Sequence, residues 1–483
     1  MEYQSRSKMK SLNGKVNSVL LQIVERQQQV IKVIIILGVL FLSLFVGQFI
    51  PAKYLSYLLV LIIAFGGVLI YIRRPQLGLL ALVALGLLVN VELGTNTSTS
   101  LNIVIILLPI LIGVWFVDRF VRQQEIRFIP SRTNPPLIAL ISISLLAFCI
   151  GQLTWFYYAR QAPLLSQLGG LAMFILSAGA FIFTANVIES IKWLKILTWM
   201  YVALGTLLVL SRVNPVLGSI MRDVLPAGAT GSLFWVWLLS ITYSQFLFNR
   251  DLKIFWRLVL LGLVAATLFV ALYLGYGWKS GWVPPLVAMG VITWMRFRRL
   301  RYVLAIGGLV VIWLIASELL QSDQYSYVTR VEAWKIILNE IIRVNPIFGL
   351  GPANYRFYTP LFPIMGYWVE FNSHNNYIDI IAQIGVLGLF AFLWFSWEVW
   401  RLGWGLLKVN LSGFSNAYVV GAMGGLVGML IAGMLGDWVV PFVYNVGIKG
   451  FRASVFGWIF LGGLVAIQHI HATKNKDVDQ GTV

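Results

Sequence analysis

Residues 375–398 read NNYIDIIAQIGVLGLFAFLWFSWE, an apolar run that opens on a polar step at Asn375-Asn376 and closes on Trp397-Glu398. A helix needs roughly 20 such residues to cross a bilayer. The rest of the chain repeats the pattern. Of its 483 residues 59% are hydrophobic and only 11% charged, with mean hydropathy +0.84, more apolar surface than a water-soluble core can enclose. Reading apolar runs against polar breaks gives about fourteen spans, near 30–50, 55–72, 77–90, 101–117, 137–154, 168–188, 192–210, 232–248, 257–274, 282–295, 302–319, 375–398, 416–436 and 451–469. The fold class expected is all-α, a polytopic transmembrane helical bundle.

Charge orients it. With the N-terminus inside, most of the 36 lysines and arginines fall in inner segments, including Arg73, Arg119, Lys192, Arg298 and Arg401. The net charge of +18 is then mainly a topology signal. A nucleic-acid partner is a poor reading of it, because no basic stripe interleaved with aromatics lies on a soluble domain. The chain divides into a cytoplasmic segment 1–29, spans over 30–319, an external loop 320–374, spans over 375–470 and a cytoplasmic tail 471–483. In the first segment Val16, Val19, Leu20 and Ile23 follow helical spacing beside Lys15 and Arg26, as in a helix lying on the membrane surface. The single Cys149 excludes an internal disulfide and sits in an apolar run as a small hydrophobe.

The loop 320–374 stands apart from mostly short connections, and long structured loops usually carry function. Its Arg330, Lys335, Arg343 and Arg356 are balanced by Asp323, Glu332, Glu340 and Glu370, so any anion site must come from individually placed groups. Thr329-Arg330-Val331-Glu332 has the form of a capping box and predicts a helix from there toward Val344. On that helix Arg330 shares a face with Trp334, Ile337, Leu338 and Ile341. A guanidinium fork in a first turn, beside free amides and the positive dipole end, suits a phosphate; an interfacial or carboxylate-paired arginine is the plainer alternative. Gly349 and Gly351 lie in a breaker-rich turn, which suits chain reversal first and close approach to a ligand second.

Two of the three histidines, His469 and His471, lie near the C-terminus. The third, His374, stands where the loop becomes the span at 375–398, with Ser373 or Asn372 as the expected helix cap. A helix N-terminus disfavours imidazolium, and a neutral histidine is what a general base requires. A capping polar residue at the membrane interface is the alternative. The outer segments show no Asp-x-Asp pair and no His/Cys cluster for a metal, and Asp477-Val478-Asp479 lies in the tail. Asn96-Thr97-Ser98 is read as a loop.

Taken together, Thr329-Arg330, Trp334, Asn345-Pro346-Ile347-Phe348-Gly349-Leu350-Gly351, Ser373-His374-Asn375-Asn376-Tyr377 and Gln383-Ile384-Gly385-Val386-Leu387-Gly388-Leu389 resemble the O-antigen ligase and polymerase superfamily. The resemblance covers 325–400 clearly and 200–440 more loosely. It implies a GT-C-like membrane glycosyltransferase, independent of metal or other cofactor. Such an enzyme moves a glycan from an undecaprenyl-pyrophosphate carrier to an acceptor hydroxyl on a glycan or lipid-linked sugar, at the outer face of a bacterial inner membrane. Residue by residue, it implies that Arg330 holds pyrophosphate and His374 assists the acceptor, with Asn375, Gly349 and Gly351 in the acceptor-side loop. The family's Ser-Arg motif at the start of a span falls near Trp278-Lys279-Ser280-Gly281, where the arginine is missing and Lys279 is the nearest substitute. A point charge there replaces a bidentate fork. Arg212 and Arg222, in the outer loop 211–231, are looser candidates for a further phosphate contact. A small-anion or inorganic-carbon carrier and a non-catalytic component of a polysaccharide export complex stand as alternatives. Against a carrier, ionisable residues such as Asp118, Glu189, Glu318 and Asp437 fall at span ends and no internal repeat is seen.

Overall fold

The computed structural model describes residues 66–68, 70–89, 92–94, 100–124, 128–221, 231–303, 305–310, 317, 324–409, 411 and 413–479. The surface helix expected near 16–23, the first span at 30–50, two thirds of the second at 55–72, half of 302–319, Arg222 and Asn96 lie outside the described residues. From Pro75 onward the chain is a helical membrane protein. Its elements are α1 (Pro75–Leu88), a short antiparallel pair β1 (Glu92–Gly94) and β2 (Ser100–Asn102), α2 (Ile103–Gln123), α3 (Asn134–Ile150), α4 (Leu164–Val187), α5 (Ile191–Val213) and α6 (Pro215–Met221). They continue with α7 (Ser232–Phe248), α8 (Ile254–Phe269), α9 (Lys279–Arg296), α10 (Gln324–Ile336), α11 (Tyr355–Tyr358), α12 (Asn376–Lys408), α13 (Gly413–Leu435) and α14 (Phe451–Asp479). Among the described residues, seven helical segments are long and apolar enough to cross a membrane: α2, α4, α5, α8 with its wider turn to Leu274, α12, α13 and the segment Ile448–Lys474.

Burial sorts these helices. α14 is buried from Phe451 to Ile467, Arg452 included, against α4 and α7, as a largely apolar helix must be when it is central to its bundle. α13 packs tightly on α7 and α9 because glycines let the backbones approach. A Cβ on Gly425 would meet the Trp237 ring, and one on Gly428 would lie 2.9 Å from the Pro284 carbonyl oxygen. α8 instead turns Ile254, Phe255, Trp256 and Leu258 outward, where lipid rather than water is the natural solvent.

The span expected at 375–398 is longer and is not one continuous helix. α12 runs to Lys408 and breaks at Ile384 (φ −128°, ψ 15°) and Gly385 (φ 72°, ψ −177°). The turn 345–352 docks into the break. Leu350 N donates to Ala382 O at 3.0 Å and Gly351 N to Gln383 O at 3.0 Å, while Val386 N donates to Pro346 O at 2.9 Å and Leu387 N to Ile347 O at 3.3 Å. In an unbroken helix Val386 and Leu387 would have donated to Ala382 and Gln383. Two helical bonds are exchanged for four bonds to the turn, which satisfy the Ala382 and Gln383 carbonyls and the Val386 and Leu387 amides that the break would otherwise leave bare.

Gly385 stands in a region of φ and ψ open essentially to glycine, and an added Cβ would collide with the Ile347 carbonyl oxygen. Gly385→Ala should therefore destabilise the protein by roughly 1–3 kcal/mol from backbone strain alone, with the collision added. Gly262, on α8 with no atom within 4 Å of an added Cβ, is the control. Thermal unfolding in detergent should show a lowered midpoint for Gly385→Ala and an unchanged one for Gly262→Ala; equal midpoints would show that the break tolerates a side chain.

Candidate functional site

His374 immediately precedes the cap of α12, and the chain around it is held from three sides. The cap is Asn375, whose Oδ1 accepts from Tyr377 N at 2.9 Å and Ile378 N at 3.4 Å, in place of the expected Ser373 or Asn372. Ser373 is occupied differently. Its carbonyl accepts from the Trp334 indole at 2.6 Å, its Oγ donates to Asp379 Oδ1 at 2.6 Å, and its amide donates to the Tyr355 hydroxyl at 3.2 Å. Asn372 Nδ2 donates to Tyr444 O at 3.0 Å. With both neighbours anchored, His374 adopts φ 52°, a left-handed conformation that L residues enter at a cost.

Beneath this corner lies a small core. Tyr355 stacks on Phe442 with ring centroids 4.8 Å apart, among Ile337, Ile341, Leu350, Tyr358 and Ile378. The Tyr355 hydroxyl donates to Asp379 Oδ1 at 2.6 Å. Asp379 is thus a buried carboxylate between two hydroxyl donors in the first turn of α12. A second anchor comes from the segment between α13 and α14. There Asp437, fully buried, accepts from Phe442 N at 2.8 Å, Val446 N at 3.2 Å and the Asn445 side chain, and burial pushes its carboxyl up to about 6. Asn376 joins that segment to α12, accepting from Val439 N at 2.7 Å and donating to Val440 O at 2.7 Å.

Two arginines act on the His374 ring. Its pKa is lowered from 6.5 first by burial, then by the positive charge of Arg330, then by that of Arg356. The shift favours the neutral imidazole, and its causes are desolvation and two guanidinium charges rather than the helix dipole. Arg356 is tied in place by Glu370 Oε2 at 2.9 Å, Asn372 Oδ1 at 3.2 Å and Tyr444 O at 3.0 Å, and lies over the Tyr444 ring. Arg330 is different. Ion pairs among the described residues include Arg132–Glu398, Arg401–Glu398 and Arg356–Glu370, and Arg330 belongs to none of these three.

The capping box at Thr329 does not form the helix start. α10 is already helical at Gln324, so Arg330 lies inside it and cannot borrow free first-turn amides. Nothing between Gln324 and Val328 breaks a helix, and propagation adds a bond per residue where a cap would stop it. Glu332 serves elsewhere, accepting from Met365 N at 3.2 Å and holding the 364–367 reversal. The helical run does end at Val344, before Pro346 as expected.

The other residues singled out by sequence are distributed differently. Gly349 and Gly351 are buried in the docked turn with φ 70° and 88°. A Cβ on Gly349 would lie 2.6 Å from Gly385 N, and one on Gly351 2.6 Å from Gly151 Cα. Lys279 is the first residue of α9. Arg212 lines a separate cavity of about 90 Å³ with Trp278 and Gly281, the residues flanking that helix start. Trp278 meets Trp438 at 5.7 Å between ring centroids, which ties this corner to the 436–447 segment. Sequence reasoning missed the parts played by Arg356, Tyr355 and Asp379. Asp379 had left a signal, as a carboxylate inside an apolar span. Among the described residues no group of three or more histidine, cysteine or acidic side chains is placed to hold a metal.

No protein-family model matches the chain, and no curated protein matches it significantly.

The two guanidiniums predict the direction in which variants move His374. Arg330→Gln should raise its pKa toward 6.5, and Arg356→Gln should raise it less. Histidine-selective ¹³C NMR of the protein in detergent follows three ring signals, those of His374, His469 and His471. Only the His374 titration should shift to higher pH; an unchanged midpoint in Arg330→Gln would separate the two residues.

Proposed function

We propose that this chain is a membrane glycosyltransferase that moves a glycan from a polyprenyl-pyrophosphate carrier to an acceptor hydroxyl at the outer face of a bacterial inner membrane. The observation that carries the reading is a half-buried histidine with a left-handed backbone at the start of α12, whose pKa is lowered by burial and by the charges of Arg330 and Arg356, with Arg330 in no ion pair among the described residues. In this reading His374 takes the acceptor proton on a ring nitrogen as the acceptor oxygen bonds to the anomeric carbon. The bond from that carbon to the carrier phosphate breaks, and the electron pair leaves with the pyrophosphate. Arg330 stabilises that developing charge with its fork, and Arg356, already bound to Glu370, keeps the imidazole neutral. Lys279 and Arg212 are second-rank candidates for the carrier phosphates, since Arg212 borders another cavity and Lys279 starts the helix whose Gly281 lines it.

The finer architecture belongs to the same proposal: about fourteen spans, a GT-C-like arrangement, both termini cytoplasmic and the 320–374 loop external. The four shorter apolar helices beside the seven long ones support the larger number. Labelling from outside tests the orientation, with single cysteines in a Cys149-free background. A cysteine at Gln324 should react and one at Arg298 should not; the opposite pattern would put His374 on the wrong side for a lipid-linked donor.

A carrier of small anions is the reading that the broken α12 favours, because transporters build sites from discontinuous helices. The backbone groups at this break are already bonded to the 345–352 turn, which weighs against it.

Purified protein, an undecaprenyl-pyrophosphate oligosaccharide and candidate acceptors test the proposal by release of the carrier. His374→Gln should lower transfer about 10²–10⁴-fold. Arg330→Lys should keep the fold and lose most activity, because one mobile charge replaces two aligned donors. The wild-type rate should fall as the medium is acidified, with its midpoint under pH 6.5, because the folded pKa lies under that value and protonation removes the base. Transfer by His374→Gln at the wild-type rate would end the base assignment.

A further inference from the structure

The opposite end of α12 carries a second concentration of cations that the proposed reaction does not use. A cleft of about 510 Å³ opens there, bounded by Arg132, Arg401 and Lys408 and by Trp294, Trp397 and Trp404. Glu398 pairs with both arginines, at 3.1 Å to Arg132 Nε and 3.0 Å to Arg401 Nη1. One carboxylate against three cations leaves the cleft positive. Arg301 adds to the field, its guanidinium 4.5 Å from the centre of the Trp294 ring.

Two further features say what kind of anion fits. Val386, Phe390, Leu393 and Trp397 recur at helical spacing on α12 and are 54%, 64%, 44% and 58% exposed. The same face continues into Arg401, Trp404 and Lys408, so an outward apolar strip runs roughly 20 Å from the cleft along the helix. Tryptophans mark the level of the headgroups in membrane proteins, and Trp397 and Trp404 stand at the cleft. The unbroken part of α12, from Val386 to Lys408, rises roughly 33 Å, comparable to the roughly 30 Å thickness of the hydrocarbon layer, and His374 lies beyond the break at its far end. The cleft therefore faces the interface opposite to His374. An anion with acyl chains uses both the cations and the strip, whereas a free phosphate uses only the cations.

We infer that this cleft binds the phosphate headgroup of an anionic glycerophospholipid, whose acyl chains lie along the strip from Trp397 toward Val386. Arg401 and Arg132 present guanidinium donors oriented by Glu398, and Lys408 supplies a mobile charge at the rim. The site is independent of the glycosyltransferase reading and requires only that α12 cross the bilayer.

Native mass spectrometry of the full chain in detergent, titrated with dioleoyl phosphatidylglycerol, tests it. Dioleoyl phosphatidylcholine serves as the zwitterionic comparison and inorganic phosphate as the competitor. Phosphatidylglycerol should be retained and phosphatidylcholine should not. Lys408→Gln, which leaves the Glu398 pairs intact, should weaken retention about fivefold, the effect of one cation near a charged headgroup. Arg401→Lys keeps a charge beside Glu398 but removes the fork and should also weaken it. Millimolar inorganic phosphate should not displace the lipid. Equal retention of the two lipids, wild-type retention by both variants, or displacement of the lipid by inorganic phosphate would each overturn the inference.

Discussion

The structure around His374 depends on four backbone hydrogen bonds between the 345–352 turn and the break in α12. An amide or carbonyl freed within a membrane helix has no water to turn to, and each one left bare costs several kcal/mol. The turn meets that demand at both ends of the break, so neither part can move without exposing the other. This is why two glycine-bearing segments far apart in the chain are held in one register. Asn354 extends the lock, donating to Gly151 O at 3.0 Å and Leu350 O at 2.9 Å and accepting from Ala162 N at 3.0 Å.

Once the turn is fixed, the approach to α12 is fixed with it. Tyr355 follows the turn directly and reaches Asp379, and Asp379 receives Ser373 in turn. The buried carboxylate has two donors, which is what makes its burial tolerable. His374 is held in a left-handed conformation because the residues on both sides have nowhere else to go. The loop's arginines then take different parts: Arg356 is a fixed structural charge tied to Glu370 and Tyr444, and Arg330 stays out of ion pairs among the described residues.

The two ends of α12 differ in kind. The end at His374 is built by chain segments that fold over it, with charges individually anchored. The end at Arg401 is an open cleft of cations and indoles against an outward apolar strip. The body of α12 separates them, so the residues gathered at one end and the cleft at the other share no side chains.

Apolar periodicity and length located the helices. Within the described residues the runs at 168–188, 192–210, 232–248 and 416–436 fall on α4, α5, α7 and α13 with small shifts at the ends. That works because in a bilayer hydrophobicity alone selects which segments become helical spans. Arg330 and His374 also stood out in the sequence, as a basic residue on a mostly apolar face and a lone histidine beside a span. Tertiary structure decided the rest. Thr329-x-x-Glu332 has the letters of a helix start, yet α10 is already helical at Gln324 and Glu332 bonds to Met365 instead. Gly385 sits in a run that reads as continuous helix, and only the docking of a distant turn makes a break there stable. The anchoring of Arg356 on Glu370, Asn372 and Tyr444, and the partners that let Asp379 be buried, rest on contacts between segments that no local spacing encodes. Local sequence determines which segments prefer lipid, whereas bonds made across the chain determine where a polar group can be satisfied inside it.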